Sequence, residues 1–370
     1  MLDATDNQMT TLISSRAETD SPNKMGVDWD ICQYFITQGT WAAYISSFLV
    51  IIGLAANTLL IYTVFRSVVL RGVSSNALIA SVGFGNILLL LISAPAFIKH
   101  EFNLCWQLGI SACKFYAFSE VFAISAIAFS ILAISYERIR TARGGKPLDS
   151  KLRGIILVCI WGCAFVIAIP TAGLADLAYD SFCRVRPHFE PRGRAYIISQ
   201  LLLVYLLPSV LNFVLRLWAV FVKSGYDNTQ DAPHHTPKEF NIATLVITFT
   251  TIIAWLPFYV FALGLEFQSL PFENRHLIMN LYDAQFVLLY LNATLCPFML
   301  WAFSGMHREA MLEEACCGGQ CLERCGRAPV GDRYSAFRNE FDLGGDNIND
   351  EMPVVGNEED DEDDHEPNHV

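Results

Sequence analysis

Charged residues are scarce in this chain. They make up 17% of its 370 residues, whereas 53% of the residues are hydrophobic, and an average soluble domain is about one-quarter charged. Residues 339–370 contain thirteen Asp or Glu and no Lys or Arg, which accounts for the net charge of -12 and leaves the rest nearly neutral. This distribution argues against a basic nucleic-acid-binding surface. It predicts an apolar membrane body with an acidic tail.

The signatures of several other protein classes are also missing. The chain has no glycine-rich phosphate-binding loop, no nucleophile elbow and no His-Glu-x-x-His motif. Its eleven cysteines lack the spacing of zinc ligands. We therefore expect neither an enzyme nor a cofactor or metal site. No apolar signal peptide opens the chain, so the first long hydrophobic run is expected to act as its own insertion signal.

Seven long apolar runs are present, and a membrane-spanning helix needs about 20 mostly apolar residues. The runs are 41–65, 75–98, 113–139, 154–173, 195–221, 240–265 and 281–303. Polar connectors separate them, and the two halves of the chain do not repeat each other as they do in many transporters. The pattern predicts an all-α membrane protein with a bundle of seven transmembrane helices.

The orientation of the bundle follows from the basic residues of the short loops. If the N-terminus is outside, sixteen of the 25 Lys and Arg lie inside. The densest group joins the third and fourth runs and consists of Arg138, Arg140, Arg143, Lys146, Lys151 and Arg153. We predict a multi-pass plasma-membrane protein with an extracellular N-terminus (1–40), a bundle (41–303), a juxtamembrane segment (304–325) and a cytoplasmic tail (326–370).

The juxtamembrane segment has the spacing of a short amphipathic eighth helix. Met306, Ala310 and Met311 fall near one helical face. The cysteines that follow, Cys316 and Cys317, are candidates for palmitoylation at the membrane surface. Unmodified thiols in a reducing cytosol are the alternative.

A series of single residues and short motifs follows the seven runs and the loops between them in a definite order. It contains, in chain order, Gly53, Asn57, Asn76, Trp106, Cys113, Glu137, Arg138, Trp161, Pro170, Pro208, Trp255, Pro257, Asn292 and Pro297. Over about residues 41–325 this series resembles the rhodopsin-like (class A) G-protein-coupled receptors, without pointing to a subfamily. The resemblance implies a plasma-membrane receptor that transduces an extracellular ligand into activation of a heterotrimeric G-protein.

The resemblance also implies roles for particular residues. Cys113 and Cys183 match the disulfide that ties the third helix to the second outer loop. Cys32 and Cys105 remain as a second potential pair. Glu137 and Arg138 match the pair at the inner end of the third helix, where the arginine contacts the carboxylate at rest and the G-protein when active. The alternative is a pair of interfacial side chains that snorkel to lipid headgroups.

Glu120 is the one carboxylate expected deep within the bundle. It lies seven residues after Cys113 and so about 10 Å further along the helix, where it must find a partner or take up a proton. In amine receptors of this family an acidic residue here binds the ammonium group of the ligand, beneath a seventh-helix tyrosine that matches Tyr290. A hydrogen bond from Tyr290 to Glu120 with no ligand is the alternative, and both stay open.

The expected ligand pocket is mostly aromatic, which suits a cation but is also typical of plain packing. Its predicted lining is Tyr116, Glu120, Ile124, Gln200, Trp255, Phe258, Tyr259, Asp283, Phe286 and Tyr290, with Phe122 as a further wall. Asp283 lies two turns before Tyr290 and would face the same side nearer the mouth. The seventh run contains no Lys, so the Schiff base of a retinal photopigment is excluded.

Several residues depart from the family pattern. Asn86 replaces an Asp and Ile127 replaces a Ser, so we expect no sodium site. Cys296 and Leu300 replace the Asn and Tyr around the seventh-helix proline. Arg216 replaces a fifth-helix Tyr and is expected to snorkel toward headgroups. A receptor-fold scaffold or decoy with weak coupling is therefore the main alternative function, and a transporter is a further one.

The acidic tail allows two interpretations. From Ser304 onward, Ser304 and Ser335 are the hydroxyl candidates for phosphorylation, and no Thr is present. The carboxylate block of residues 358–364 could replace phosphate clusters in recruiting arrestin. Alternatively the tail is a disordered, solvated spacer that the anionic inner leaflet repels.

Overall fold

The computed structural model describes residues 41–103, 106–143, 145–178, 182–185, 191–226, 238–267 and 275–315. Within these ranges, seven helices are long and apolar enough to cross a membrane. This confirms the predicted fold class, and the helices that form the seven spans contain all of the predicted apolar runs. The N-terminal segment 1–40 and the tail from 316 onward, with the proposed disulfide partners Cys32 and Cys105 and the acylation candidates Cys316 and Cys317, lie outside the described residues.

The helices run in simple chain order. The first span is α1 (Trp41–Arg66), and the short α2 (Val68–Gly72) follows it. The second span combines α3 (Ser74–Leu88), a π-helical turn (Leu89–Ser93) and α4 (Ala94–Asn103). The third span is α5 (Gly109–Ala142), and the fourth is α6 (Ser150–Leu174). The fifth span combines α7 (Pro191–Gln200), a π-helical segment (Leu201–Leu206) and α8 (Leu207–Tyr226). The sixth span is α9 (Lys238–Glu266), and the seventh is α10 (Arg275–Phe303). Helix α11 (Gly305–Ala315) follows the seventh span.

A β-hairpin covers one end of the bundle. Strands β1 (Ala175–Ala178) and β2 (Phe182–Val185) pair antiparallel, with Leu177 opposite Cys183. Cys183 forms a disulfide with Cys113, which confirms that prediction and ties the hairpin to the third span. We call the end of the bundle with this disulfide the outer end, and the end that carries α11 the inner end.

Helix α11 docks against the inner end through the face that its spacing predicted. Met306, Ala310 and Met311 are all buried, and α11 packs against the first and seventh spans. His307 lies on the same helix and is completely buried as well. The segment is therefore a packed part of the bundle as far as Ala315.

The spans are apolar on both their inward and outward faces. Phe48, Ile51 and Val158 are exposed on the outside of the bundle, whereas Leu60 and Leu90 are fully buried. A helix that is hydrophobic all around suits a lipid surround rather than water. Buried polar side chains such as Asn57, Asn86 and Ser93 accordingly lie between helices.

Gly53 marks the closest approach of the first, second and seventh spans. A Cβ atom at this position would lie 2.5 Å from the Thr294 hydroxyl oxygen and 2.6 Å from a methyl carbon of Leu90. The same Thr294 hydroxyl donates to the carbonyl of Leu49 at 3.0 Å. Glycine is therefore required here by space rather than by backbone conformation.

We expect Gly53→Ala to lower the melting temperature of the purified protein, because overpacking a close contact costs about 1–3 kcal/mol. The matched control is Gly162→Ala in the fourth span, where nothing lies within 4 Å of the added Cβ. The control should be neutral or slightly stabilising, since Ala favours helix over Gly. Equal melting temperatures for the two variants would contradict the packing argument.

Candidate functional site

The deep carboxylate Glu120 belongs to a hydrogen-bonded network of three spans. The Ser93 hydroxyl lies 3.0 Å from Glu120 Oε2 and 3.1 Å from the Tyr290 hydroxyl. Tyr116, one turn earlier on the third span, also bonds to Glu120. Ser93 therefore bridges Glu120 and Tyr290, whereas the sequence suggested a direct hydrogen bond between those two residues.

The position of Ser93 follows from the π-helical turn of the second span. Pro95 has no amide hydrogen to bond the carbonyl of Leu91, so the α-helical pattern is interrupted just where the turn widens. The wider turn places the Ser93 hydroxyl in the interior, where it is completely buried. Sequence reasoning missed Ser93, although a serine two residues before a proline at the end of a leucine run was a usable signal.

An aromatic column rises from this network toward the outer end. Phe286 stacks on Phe97 with ring centroids 4.9 Å apart, and Tyr290 lies 5.8 Å from the same ring. Phe258 contacts Phe286 edge-on at 6.2 Å. Phe97 and Tyr290 are almost completely buried. The structure thus brings Phe258, Phe286 and Tyr290 together as predicted, and adds Phe97 of the second span, which sequence reasoning missed.

Other predicted lining residues have different surroundings. The prediction that Phe122 forms a wall of the pocket is wrong, because Phe122 packs against Trp161 and Phe165 of the fourth span, 5.2 and 6.2 Å away. Two residues along a helix correspond to about 200° of rotation from Glu120. The Gln200 amide donates to the Ile167 carbonyl of the fourth span at 3.3 Å.

The remaining predicted residues line the middle of the bundle. Ile124 and Trp255 are buried in the main hydrophobic core. Tyr259 packs on Tyr205 with a centroid distance of 4.9 Å, and the Tyr205 hydroxyl donates to the Ile252 carbonyl at 2.9 Å. These side chains connect the pocket region to the inner half of the bundle.

Two buried carboxylates from different spans meet near the outer end. Asp283 of the seventh span is 2% exposed and Glu101 of the second span is 9% exposed. They lie close enough for their charges to interact. Among the described residues, Asp283 Oδ1 has no hydrogen-bond partner. The second and seventh spans therefore place two acidic side chains close together near the outer end.

A further outer carboxylate is already compensated. Glu266 lies 3.8 Å from the Arg194 guanidinium, which also sits over the Phe267 ring at 5.7 Å. Arg194 is thus already engaged with a carboxylate. Its partner is Glu266, so it does not neutralise the pair formed by Glu101 and Asp283.

At the inner end, Glu137 and Arg138 both bond to serines of the second span and share Ser75 as a partner. The hydroxyls of Ser74 and Ser75 donate to the Glu137 carboxylate, and Arg138 donates to the Ser75 hydroxyl. Glu137 is 1% and Arg138 is 5% exposed. The two side chains point into the bundle, so the alternative of snorkelling side chains does not describe them. Both serines were missed by sequence reasoning, although they open the second span together.

His307 extends this inner cluster to α11. Its Nε2 donates to Asn76 Oδ1 at 3.1 Å, and the Ser304 hydroxyl donates to its Nδ1 at 2.8 Å. Asn76 follows Ser75 directly and also donates to the Leu70 carbonyl. Burial, and secondarily the positive charge of Arg138, lower the pKa of His307 to about 3. The imidazole is therefore neutral at physiological pH and links α11 to the second span.

The expected snorkelling of Arg216 is wrong. Its Nε donates to the Ser135 hydroxyl of the third span at 3.2 Å, and its Nη1 donates to the Thr244 hydroxyl of the sixth span at 3.1 Å. The side chain turns inward because its helix face meets the third and sixth spans, so extension toward headgroups would take it away from both hydroxyls.

Asn86 occupies the middle of the bundle, where the family has a carboxylate. Its amide donates to Asn57 Oδ1 at 3.1 Å, and Asn57 donates in turn to the Ala293 carbonyl at 3.0 Å. Ile127 lies against Gly85 of the second span. The Asn86 amide already satisfies the Asn57 Oδ1 oxygen, and neither Asn86 nor Ile127 supplies a carboxylate or hydroxyl oxygen. These residues therefore do not fit a sodium ion.

Comparison with known proteins supports one family. A family profile described as "7 transmembrane receptor (rhodopsin family)" matches residues 56–300. The [Phe13]-bombesin receptor of Bombina orientalis is 25% identical over 308 residues, which is 75% of each chain. Neuropeptide FF receptor 2 of Rattus norvegicus is 24% identical over 80% of this chain and 78% of its own. Growth hormone secretagogue receptor type 1 of Sus scrofa is 27% identical over 72% and 78%.

We expect acid to weaken the packing of α11 through His307. Above its ordinary pKa of 6.5 the histidine is neutral in both states, but below that value only the unfolded state takes up the proton. Stability is therefore lost as the pH falls from 6.5 toward 3, by up to about 1.4 kcal/mol per pH unit. His307→Gln keeps a donor for Asn76 and removes this term. Melting curves of the two proteins that shift in parallel between pH 6.5 and 4.5 would contradict the assignment.

Proposed function

The chain belongs to the rhodopsin family of seven-transmembrane receptors, and we propose that its ligand is an extracellular peptide with a basic group. The protein is a G-protein-coupled receptor that transduces an extracellular ligand into activation of a heterotrimeric G-protein. Two of the relatives are named for bombesin and for a neuropeptide, which supports a peptide. The excess of inner Lys and Arg supports an extracellular N-terminus and a cytoplasmic C-terminus.

The carboxylates of Glu101 and Asp283 carry the proposal of a basic group. Two buried acidic side chains within range of each other's charge disfavour one another, and one Asp283 oxygen has no hydrogen-bond partner among the described residues. A lysine or arginine of the ligand can bond this oxygen and compensate both charges, and charge-assisted bonds of this kind are about twice as strong as neutral ones. The pair lies near the outer end, within reach of a ligand that enters from outside.

Glu120 is proposed to act one level deeper, as a relay rather than as the first contact. Its carboxylate already bonds to Ser93 and Tyr116, and the aromatic column of Phe97, Phe286 and Tyr290 packs above it. A small amine would have to break this network to reach Glu120. A peptide at the outer pair can instead shift the second span relative to the seventh, which the bonds of Ser93 transmit to the third span.

Ligand binding must reach the inner end through a coupling between states. The second span carries both Ser93, which bonds to Glu120, and Ser75, which bonds to Arg138. We propose that Arg138 leaves Ser75 and contacts the G-protein when the bundle opens. Palmitoyl groups on Cys316 and Cys317, contact of α11 with the bilayer and arrestin binding to the acidic tail are further proposals that this arrangement accommodates.

Two alternative functions make different demands on the same residues. A transporter needs a polar path, but the deep charge Glu120 is bonded within the bundle. A decoy that does not couple is compatible with the substitutions at Arg216, Cys296 and Leu300. Ligand-dependent nucleotide exchange on purified G-protein, with no accompanying ion flux, is the result that separates receptor function from both.

We predict that Asp283→Asn weakens basic ligands selectively. Peptides that activate the parental receptor would be assayed alongside analogues in which each Arg is replaced by uncharged citrulline. Potency should fall by about tenfold or more for the basic peptide and by much less for the analogue, because only the former loses a charge-assisted bond. Glu101→Gln should act in the same direction.

The matched control is Asp149→Asn, which neutralises an exposed carboxylate outside the outer site. It should leave both potencies unchanged at equal surface expression. Equal losses for the basic peptide and its citrulline analogue in Asp283→Asn would mean that the outer carboxylates have only a structural role.

Glu120→Gln tests the relay, and it should reduce maximal activation by both the basic peptide and its citrulline analogue.

We predict that Arg138→Ala abolishes most G-protein nucleotide exchange while ligand affinity stays within a few fold. Arg138 lies eighteen residues after Glu120, so about 27 Å away along the helix, and it can affect binding only through the coupling of the two ends. Arg66→Ala, which removes an exposed inner-end cation, is the control. Undiminished exchange in Arg138→Ala would show that this arginine is not part of the coupling machinery.

A further inference from the structure

The sixth span is attached unevenly to its neighbours. It packs extensively on the seventh span and makes few contacts with the third and fifth spans. Two small cavities, of about 10 and 20 Å³, lie along the boundary of the sixth span with the third and fifth. We call this boundary the seam. Since protein interiors are normally close-packed, the few contacts and the two voids make the seam the boundary along which the sixth span is held least tightly.

At the outer end the Arg194–Glu266 ion pair joins the fifth and sixth spans, and further in, two side-chain hydrogen bonds connect them across the seam among the described residues. The outer bond runs from the Tyr205 hydroxyl to the Ile252 carbonyl at 2.9 Å. It lies beside the break made by Pro257, which has no amide hydrogen for the Ile253 carbonyl. This link is neutral and sits where the sixth span can bend. The inner bond is the one from Arg216 to Thr244.

Arg216 brings an arginine charge into the seam with little compensation. Its acceptors are the hydroxyls of Ser135 and Thr244, and its Nη2 atom is shielded from solvent and has no partner among the described residues. Among the described residues, no carboxylate forms an ion pair with Arg216. Arg138 is close enough for the two guanidinium charges to repel each other. The guanidinium is only partly buried, but a charge with neutral acceptors and a shielded nitrogen keeps part of its desolvation penalty.

We propose that Arg216 weakens the closed seam and thereby sets the activity of the receptor in the absence of ligand. When the inner half of the sixth span moves away, cytoplasmic water reaches the guanidinium and removes its desolvation penalty. The charge therefore favours the open arrangement, whereas the two hydroxyl bonds favour the closed one. The charge prevails, because hydroxyl acceptors replace water without neutralising the ion and Arg138 adds repulsion.

The opposite role, a clasp that holds the sixth span to the third, depends on the same contacts but predicts opposite effects. Removing a clasp opens the seam whether the arginine or its acceptor is changed. Removing an uncompensated charge closes the seam, whereas removing only its acceptor opens it. Arg216→Met and Thr244→Val therefore distinguish the two roles, since methionine keeps the unbranched length and valine keeps the shape of threonine.

The experiment measures ligand-free nucleotide exchange on G-protein by the purified full-length receptor in lipid nanodiscs, together with its melting temperature. We expect Arg216→Met to lower ligand-free exchange by about tenfold and to raise the melting temperature. Thr244→Val should raise exchange and lower the melting temperature. Arg216→Lys retains the charge and should stay close to the parental protein in exchange.

Increased exchange in both Arg216→Met and Thr244→Val would establish the clasp and overturn the proposal. Unchanged exchange in both would overturn it as well. If Arg216→Met does not reach the membrane, Arg216→Gln removes the same charge and takes its place. A general loss of folding lowers the melting temperature in every variant, so a rise in melting temperature with a fall in exchange is a result that a merely structural role would not give.

Discussion

Serine hydroxyls of the second span fix the frame on which the other spans move. They bond the third span at three depths: Ser93 to Glu120, Ser81 to Ser130 at 2.9 Å, and Ser74 and Ser75 to Glu137. The Trp161 indole adds the fourth span by donating to Ser81 at 3.1 Å. Lipid offers no partners to polar groups, so these bonds must be made within the bundle. They keep the second and third spans in register along their whole length.

The seam on the opposite side of the third span has the reverse character. Its packing is incomplete, and its inner link is a cation held by hydroxyls. Movement is therefore expected where polar compensation is poor, and not between the second and third spans. Both proposed sites touch the rigid side, since Ser93 reaches Glu120 and Ser75 reaches Arg138. A receptor of this construction can keep its second and third spans together while the wall formed by the sixth span moves.

The sequence was sufficient for the spans and for one covalent link. Twenty apolar residues in a row leave few alternatives to a spanning helix, and the motif around Trp106 and Cys113 indicated the bond to Cys183. The partners of the buried charges were beyond sequence reasoning, because Ser93, Ser74 and Ser75 become partners only through the rotation and depth of two helices. Arg216 was misjudged for the same reason, since its position near a helix end predicts snorkelling unless the facing hydroxyls are known.

The π-helical segments of the second and fifth spans have a consequence for how such a receptor can change. A residue added to a helical turn advances the phase of everything beyond it by about 100° relative to an uninterrupted α-helix. Leu89–Ser93 therefore sets which face of α4 carries Phe97 and Glu101, and Leu201–Leu206 acts between α7 and α8 in the same way. Each π-helical segment therefore fixes the rotation of the outer half of its span relative to the inner half. Loss of one residue from either segment would redirect an entire outer face while leaving the inner contacts with Arg138 and Arg216 untouched.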